Sequence, residues 1–564
     1  MRYIKIASFW IFSLALAYLA TLPYMNSFAI GGDDACKHAP NIMALADEIK
    51  AGRFPFGVMS SSRMGNGLIT PLLYPCMFSS IASWLIAFGV NSVLATKIFI
   101  FLLNFATILI TFWSARKITK STGASWVIAI LYTFAVYRIG DIYFRFALGE
   151  FVVMTFLPLV LYSIYNIFYE EKIKIWLFPL AFFCVVNSHL ITTTFVFMFF
   201  MVLLLANIHK IVWIKERKFF INKKIFFDLL KIAGLTILLS IGFLLPMLEQ
   251  RYGRLVLPGP WNMIDNHYDL KRVFSNDLSR SIGTWGIGIA FGLLSLVIIP
   301  WKKVKNKHFF ATCIIIAAAS FLMTTKYVPW SQLDKDFFNK LFSYIQFPWR
   351  FHTIFILFAS FICGIALKNT LDYIKWNNVK AVLYGIIIAA LVVNAHSFIS
   401  KIDVRKHFYE EGMWKYEDVV AGNEDYFHMP DTDYLPWGFA VWPTEKLWTT
   451  AKNHTTGDEY IIENIKTVKT ANVQAGLIEM PLAHYKGYSV KLQTEAGERI
   501  KLSYDISAGK RMMLEVPEAG KISVKYIGTP LFWISKIITY GTLIWLVIPC
   551  LTRNLKRRRN ENFI

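Results

Sequence analysis

Apolar stretches of about twenty residues recur along the chain, and short polar segments rich in lysine and arginine separate them. A helix of that length covers the hydrocarbon core of a bilayer. It also satisfies its own backbone groups, which lipid cannot do. The pattern predicts crossings at roughly 6–26, 94–115, 124–143, 150–168, 174–189, 190–212, 228–248, 283–300, 309–324, 351–368, 380–398 and 531–551, about twelve in all. Residues 70–89 are apolar enough to form another. Counting them would carry Arg116, Lys117 and Lys120 to the opposite face, so they read as a re-entrant or interfacial helix pair. After Lys401 the period changes. Residues 488–492, 500–504 and 522–526 alternate apolar and polar positions between Gly and Asp turns, as half-buried strands do. The fold class expected is an all-α polytopic membrane protein with a small extracytoplasmic β-rich domain near its C-terminus. Its parts are a transmembrane domain at 1–400 with a first external loop at 29–75, a β-rich domain at 401–528, and a closing helix with a basic tail at 529–564.

Composition supports the membrane reading. The chain is 55% hydrophobic and only 17% charged over 564 residues, with a mean hydropathy of +0.45. A soluble domain carries more charge. The 16% aromatic content suits interfacial Trp and Tyr belts. The formal charge of +22 is concentrated in short segments such as 215–224, 302–307 and 556–559. Such loops set orientation. They place both termini on the cytoplasmic side and speak against nucleic acid as a partner. The apolar run after Lys5 lacks a small-x-small cleavage site before Gly31 and reads as a retained helix. Cys184, Cys313, Cys363 and Cys550 fall in or beside apolar runs. Cys36 and Cys76 flank the first loop and share a compartment, as two free thiols or as a disulfide.

The charge map gathers the polar residues worth weighing on one face. Asp33, Asp34 and His38 follow the first apolar run. If a helix starts at or before Asp34, Asp34 and His38 share a side of it; alternatively, one Asp is its N-cap. Ile42, Leu45, Ala46 and Ile49 then recur at helical spacing, which predicts an amphipathic helix on the membrane surface ending near Gly52. Arg145 and Glu150 stand at the mouth between two crossings, as a locking ion pair or as functional groups. His189 lies at another turn, in a structural or an orienting role. Arg350 follows Pro348 and Trp349 at the start of a helix. It either snorkels or binds phosphate. An acid, a histidine and two arginines in one cavity could deprotonate an acceptor hydroxyl and stabilise a phosphate leaving group.

These residues resemble, in order, those of the YfhO-like bacterial membrane proteins, also labelled 6-pyruvoyl-tetrahydropterin-synthase-related, which belong to the GT-C class of glycosyltransferases. The resemblance rests on Gly32-Asp33-Asp34 with His38, on 65–67 and 73–75, and on 145–150. It continues through 188–190, 346–351, 433–436 and 485–488. Nothing in the chain resembles a soluble pterin enzyme. The resemblance implies a glycosyltransferase working at the outer face. It would move a sugar from a polyprenyl-phosphate donor to a cell-envelope acceptor such as teichoic acid. It implies an acid of the first external loop as base: Asp34, four residues before the histidine, with Asp33 as its rival. Arg145 and Arg350 would bind the donor phosphate, while His38, Glu150 and His189 would orient groups in the cavity. No cofactor or metal is expected, although paired carboxylates are the oxygen ligands a hard divalent cation takes. A transporter of lipid-linked glycan and a non-catalytic envelope scaffold are the alternatives.

Overall fold

The computed structural model describes residues 2–25, 32–60, 67–215, 218–251, 286–330, 345–402, 449–465, 468–508 and 511–561. The chain divides into two units. The first comprises 1–35, 93–236 and 260–423; the second comprises 36–92, 237–259 and 424–564. Expectations for 61–66, 403–448 and the Cys36 and Cys550 side chains lie outside the described residues.

The helices in chain order are α1 (Arg2–Met25), α2 (Ala35–Lys50), α3 (Thr70–Leu73), α4 (Ser80–Ala87), α5 (Ser92–Thr119), α6 (Thr122–Thr133), α7 (Val136–Tyr143), α8 (Leu148–Tyr169), α9 (Leu177–Val186), α10 (Leu190–Ala206), α11 (Lys223–Arg251), α12 (Gly286–Ile298), α13 (Lys307–Leu322), α14 (His352–Leu371), α15 (Asn377–Ile399) and α16 (Pro530–Glu561). Among the described residues, eight helical segments are long and apolar enough to cross a bilayer. Each coincides with an expected crossing, and the protein is a multi-pass membrane protein. The other four expected crossings are shorter apolar helices, Leu177–Val186, Leu190–Ala206, Gly286–Ile298 and Lys307–Leu322. Residues 70–89 form α3 and α4, of 4 and 8 residues, too short to span.

In the first unit α14 is central. It is buried along nearly its whole length and packs against α6, α12 and α13. The crossing expected at 124–143 is broken at Phe134 and Ala135 into α6 and α7. Arg138, fully buried, explains the break. Its Nη1 donates to the Thr133 carbonyl (3.2 Å) and to Asn104 Oδ1 (2.9 Å), and its Nη2 donates to Thr107 Oγ1 (2.9 Å). Asn104 donates in turn to Thr21, and Thr107 meets Thr155. One guanidinium thus ties α1, α5, α7 and α8 through Nη1 and Nη2, while its Nε has no hydrogen-bond partner among the described residues. Between α10 and α11 lies a hairpin of β1 (Val212–Lys215) and β2 (Lys218–Ile221).

The second unit holds the remaining strands among the described residues. They are β3 (Thr450–Asn453), β4 (Glu459–Ile461), β5 (Glu463–Ile465), β6 (Val468–Val473), β7 (Gly476–Ala483), β8 (Tyr488–Thr494), β9 (Arg499–Leu502), β10 (Tyr504–Ile506), β11 (Arg511–Val516) and β12 (Gly520–Tyr526). Two antiparallel five-stranded sheets form, in the orders β10-β11-β7-β3-β4 and β5-β6-β12-β8-β9. The alternation read from the sequence sets the register: Ile522 faces Leu492 and Val524 faces Val490, all buried, in one core with Met480, Met512 and Leu514.

The helix α2 departs from expectation. Its apolar face does not rest on a bilayer: Ile42, Leu45 and Ala46 are buried in the protein. Leu45 packs with Phe56, Met59, Leu72, Tyr485 and Phe532. The Glu48 carboxylate pairs with Arg53 and accepts the Ser60 N–H at 2.7 Å. The helix ends as expected, with Gly52 at φ +72° donating its N–H to the Ile49 carbonyl. Further along, Thr539 Oγ1 of α16 accepts the Gly242 N–H of α11 (2.9 Å) and donates to the Leu238 carbonyl (2.8 Å). A Cβ on Gly242 would lie 2.7 Å from that oxygen, so glycine sets how closely the two helices approach.

Candidate functional site

Within the first unit, a buried ionic cluster forms where α7 gives way to α8 and where the 3₁₀ turn Pro348–Phe351 enters α14. Glu150, in the first turn of α8, is its hub. Its Oε1 accepts from Tyr137 Oη (2.7 Å) and Thr353 Oγ1 (2.6 Å), and its Oε2 faces Arg145 Nη1 (3.4 Å) and Arg350 Nε (3.8 Å). Arg145 Nη1 also donates to Asp141 Oδ1 at 2.7 Å. Burial works against the Arg145 charge, but Asp141 and Glu150 outweigh it and hold that guanidinium above the ordinary arginine value.

The Gly32-Asp33-Asp34 turn is pinned to this cluster through its backbone. Asp33 N–H donates to the Phe144 carbonyl (3.1 Å) and Asp34 N–H to the Arg145 carbonyl (2.7 Å). Gly32 permits the approach. It adopts φ +144°, and a Cβ there would lie 2.6 Å from both Cβ and N of Phe146. Asp33 is exposed and Asp34 half-buried, and the Asp34 charge acts on both Arg145 and Asp141. Strain sits next to Arg145 and four residues before Arg350: Phe146 and Gln346 are non-glycine residues at φ +50° and +70°. Such outliers persist where the surroundings over-determine them.

Arg350 has unspent donor capacity. Its side chain is 9% exposed, yet Nε and Nη1 have no hydrogen-bond partner among the described residues. Trp349 Nε1 and Asp141 Oδ2 are likewise without one. The guanidinium carbon lies 5.5 Å from the Phe347 ring, which stacks on Trp349. A buried guanidinium with open N–H groups is suited to an oxyanion.

The structure thus brings Asp34, Arg145, Glu150 and Arg350 together, with His189 in electrostatic reach of Glu150. His189 Nδ1 is 2.9 Å from Thr192 Oγ1. His38 falls in the second unit, where its ring lies 5.8 Å from that of Tyr74. The helix α2 begins at Ala35, so the condition for Asp34 and His38 to share a helix side is not met, and Asp34 stands in the turn just before the helix. Sequence reasoning missed Asp141, Tyr137 and Thr353. Only Asp141 carried a signal, four residues before Arg145. Among the described residues, no group of three His, Cys, Asp or Glu side chains could hold a metal ion.

No family model and no curated protein matches the chain. Among solved structures, the chain is similar to the arabinofuranosyltransferase AftD from mycobacteria at 14% identity and a TM-score of 0.47, over 70% of this chain and 27% of that one. It is similar to the archaeal oligosaccharyltransferase AglB from Archaeoglobus fulgidus, solved with an inhibitory peptide and a dolichol-phosphate. There the identity is 13% and the TM-score 0.40, over 78% of this chain and 62% of that one. The arabinosyltransferase EmbB from Mycobacterium smegmatis is similar at 10% identity and a TM-score of 0.35, over 90% and 62%. The chain spans about a quarter of the length of AftD and about three fifths of the other two. Likeness at this level concerns the path of the backbone and assigns no residue a role.

Proposed function

We propose that the protein is a GT-C-type glycosyltransferase of a bacterial plasma membrane. It moves a sugar from a polyprenyl-phosphate carrier to an envelope glycan such as teichoic acid, on the outer face. The observation that carries the reading is the buried Arg350, its Nε and Nη1 without a hydrogen-bond partner among the described residues, in the same cluster as the Asp34 turn. Asp34 is the base. It is half-exposed and its charge reaches Arg145, whereas Glu150 and Asp141 already engage arginine. The acceptor oxygen attacks the anomeric carbon as its proton passes to Asp34. The bond from that carbon to the carrier oxygen breaks, and the leaving phosphate keeps the electron pair. Arg350, with Arg145 behind it, stabilises the charge that develops there. Glu150 positions both guanidinium groups, and His189 orients Glu150.

The buried Arg138 and the broken α6–α7 helix favour one rival, a transporter of lipid-linked glycan that binds cargo at the same cluster without chemistry. Reconstitution with radiolabelled polyprenyl-phosphate sugars and candidate acceptors separates the two readings. Wild type transfers sugar, and Asp34→Asn and Arg350→Gln lose at least about a hundredfold in rate. Equal transfer by wild type and Asp34→Asn removes Asp34 as base. Movement of intact lipid-linked sugar across the bilayer, with no transfer to any acceptor, supports the transporter.

A further inference from the structure

A different face of the first unit combines aromatic and basic residues. The turn Ile208–Lys210 leads into the β1–β2 hairpin, whose base is closed by Asn222 N–H donating to the Ile211 carbonyl. Trp213 and Phe220 pair across the strands, their rings stacked at 5.9 Å and 13°. Both stay exposed, at 43% and 40%, as does the neighbouring Ile221. A two-stranded hairpin alone is marginal in water, and one that leaves its aromatic pair uncovered is poorer still.

The segment before α13 joins this face. The His209 and His308 rings lie 5.3 Å apart, and His308 Nδ1 is 3.1 Å from Tyr169 Oη. Lys210 is anchored over the Tyr169 ring, with Nζ donating to the Phe168 carbonyl. Trp301, beside Lys302, is 48% exposed. Residues 208–224 hold six Lys and Arg against one Glu, and 301–308 hold four Lys and no acid. Lys223, Lys224, Lys302, Lys305 and Lys307 are exposed.

We propose that this face, formed by the hairpin, the Ile208–Lys210 turn and the Lys302–His308 segment, docks on anionic phospholipid headgroups. Trp213, Phe220 and Trp301 enter the interfacial layer, where amphipathic rings are favoured. The exposed Lys223, Lys224, Lys302, Lys305 and Lys307 meet the lipid phosphates, as juxtamembrane basic clusters do. The ten-to-one excess of basic over acidic residues selects an anionic surface over a zwitterionic one.

The test follows thermal unfolding of the full-length protein in neutral detergent with added short-chain lipid. Dihexanoyl-phosphatidylglycerol is expected to raise the unfolding temperature by several degrees at low salt, and matched phosphatidylcholine to leave it unchanged. The variant Lys223→Gln/Lys224→Gln/Lys305→Gln/Lys307→Gln is expected to lose the response, and the matching Lys→Arg variant to keep it. Trp213→Ser/Phe220→Ser is expected to weaken it. An equal response to both lipids overturns the proposal, as does a full response in the glutamine variant. Inorganic phosphate reproducing the shift also overturns it, since a free-anion site would then suffice. None of these readouts depends on sugar transfer.

Discussion

Gly32→Ala is the sharpest probe of the candidate site, because the substitution touches no charged group. The new Cβ would sit 2.6 Å from Phe146 Cβ and N, about 1 Å inside ordinary contact, with φ held at +144°. Keeping the native turn would then cost about 1–3 kcal/mol in backbone strain, with the overlap added to it. Releasing the turn forfeits two hydrogen bonds, Asp33 N–H to Phe144 and Asp34 N–H to Arg145, together worth about 1–3 kcal/mol net. Asp33 is exposed and Asp34 half-buried, so water replaces part of that loss. Release is the cheaper outcome. The variant should fold with about 1–3 kcal/mol less stability, while Asp34 leaves its place beside Arg145. A displacement of 1 Å at a reacting centre costs about a hundredfold in rate. Hydrogen–deuterium exchange over residues 32–36 reads the release directly, as faster exchange at Asp33 and Asp34. Native protection at both amides together with native transfer would refute the reasoning.

Three further outcomes are expected. Glu150→Gln keeps acceptors for Tyr137 and Thr353 but removes the carboxylate facing Arg350, and should cost about 3 kcal/mol in detergent unfolding; Asp141→Asn, which leaves Glu150 in place, should cost less. Burial, and then repulsion from Arg53, push the Lys469 ammonium of β6 down to about 8 from the usual 10.5, so the unfolded chain binds the extra proton between those values. The stability difference between wild type and Lys469→Met should therefore be flat below pH 8 and shift toward wild type by up to about 3 kcal/mol as pH rises through that window, checked by unfolding at stepped pH. Thr539→Val removes one inter-helix hydroxyl at a cost of about 0.6–1.7 kcal/mol, and Gly242→Val should cost more in the same unfolding assay because it forces α11 and α16 apart.

Spans and strands were legible because each carries a period that burial imposes on neighbouring residues. The region around Glu150 was legible in part. Arg145, Glu150 and Arg350 stood out as charges beside apolar runs, and a topology drawn from basic loops placed them on one face. Tyr137 and Thr353 did not stand out, since each looks like any residue of a membrane helix. Thr353 meets Glu150 across 203 residues of chain, a separation no local pattern records. The helix α2 misled for a related reason. Its amphipathic spacing shows that one side is covered, and it says nothing of whether lipid or protein does the covering; here Phe56, Leu72, Tyr485 and Phe532 do.

That covering has a consequence in time. The helix α2 and residues 51–92 leave the ribosome well before their partners Tyr485 and Phe532. At about 5–20 residues per second, the roughly 440 residues from 92 to the start of α16 take on the order of half a minute or more to synthesise. For that interval Leu45, Phe56 and Leu72 lack Tyr485 and Phe532 as cover. An amphipathic segment can wait at the bilayer surface without aggregating, where a uniformly apolar one would insert and a polar one would never dock. The spacing of apolar residues in α2 suits either surrounding, a lipid interface or the protein core that Tyr485 and Phe532 complete.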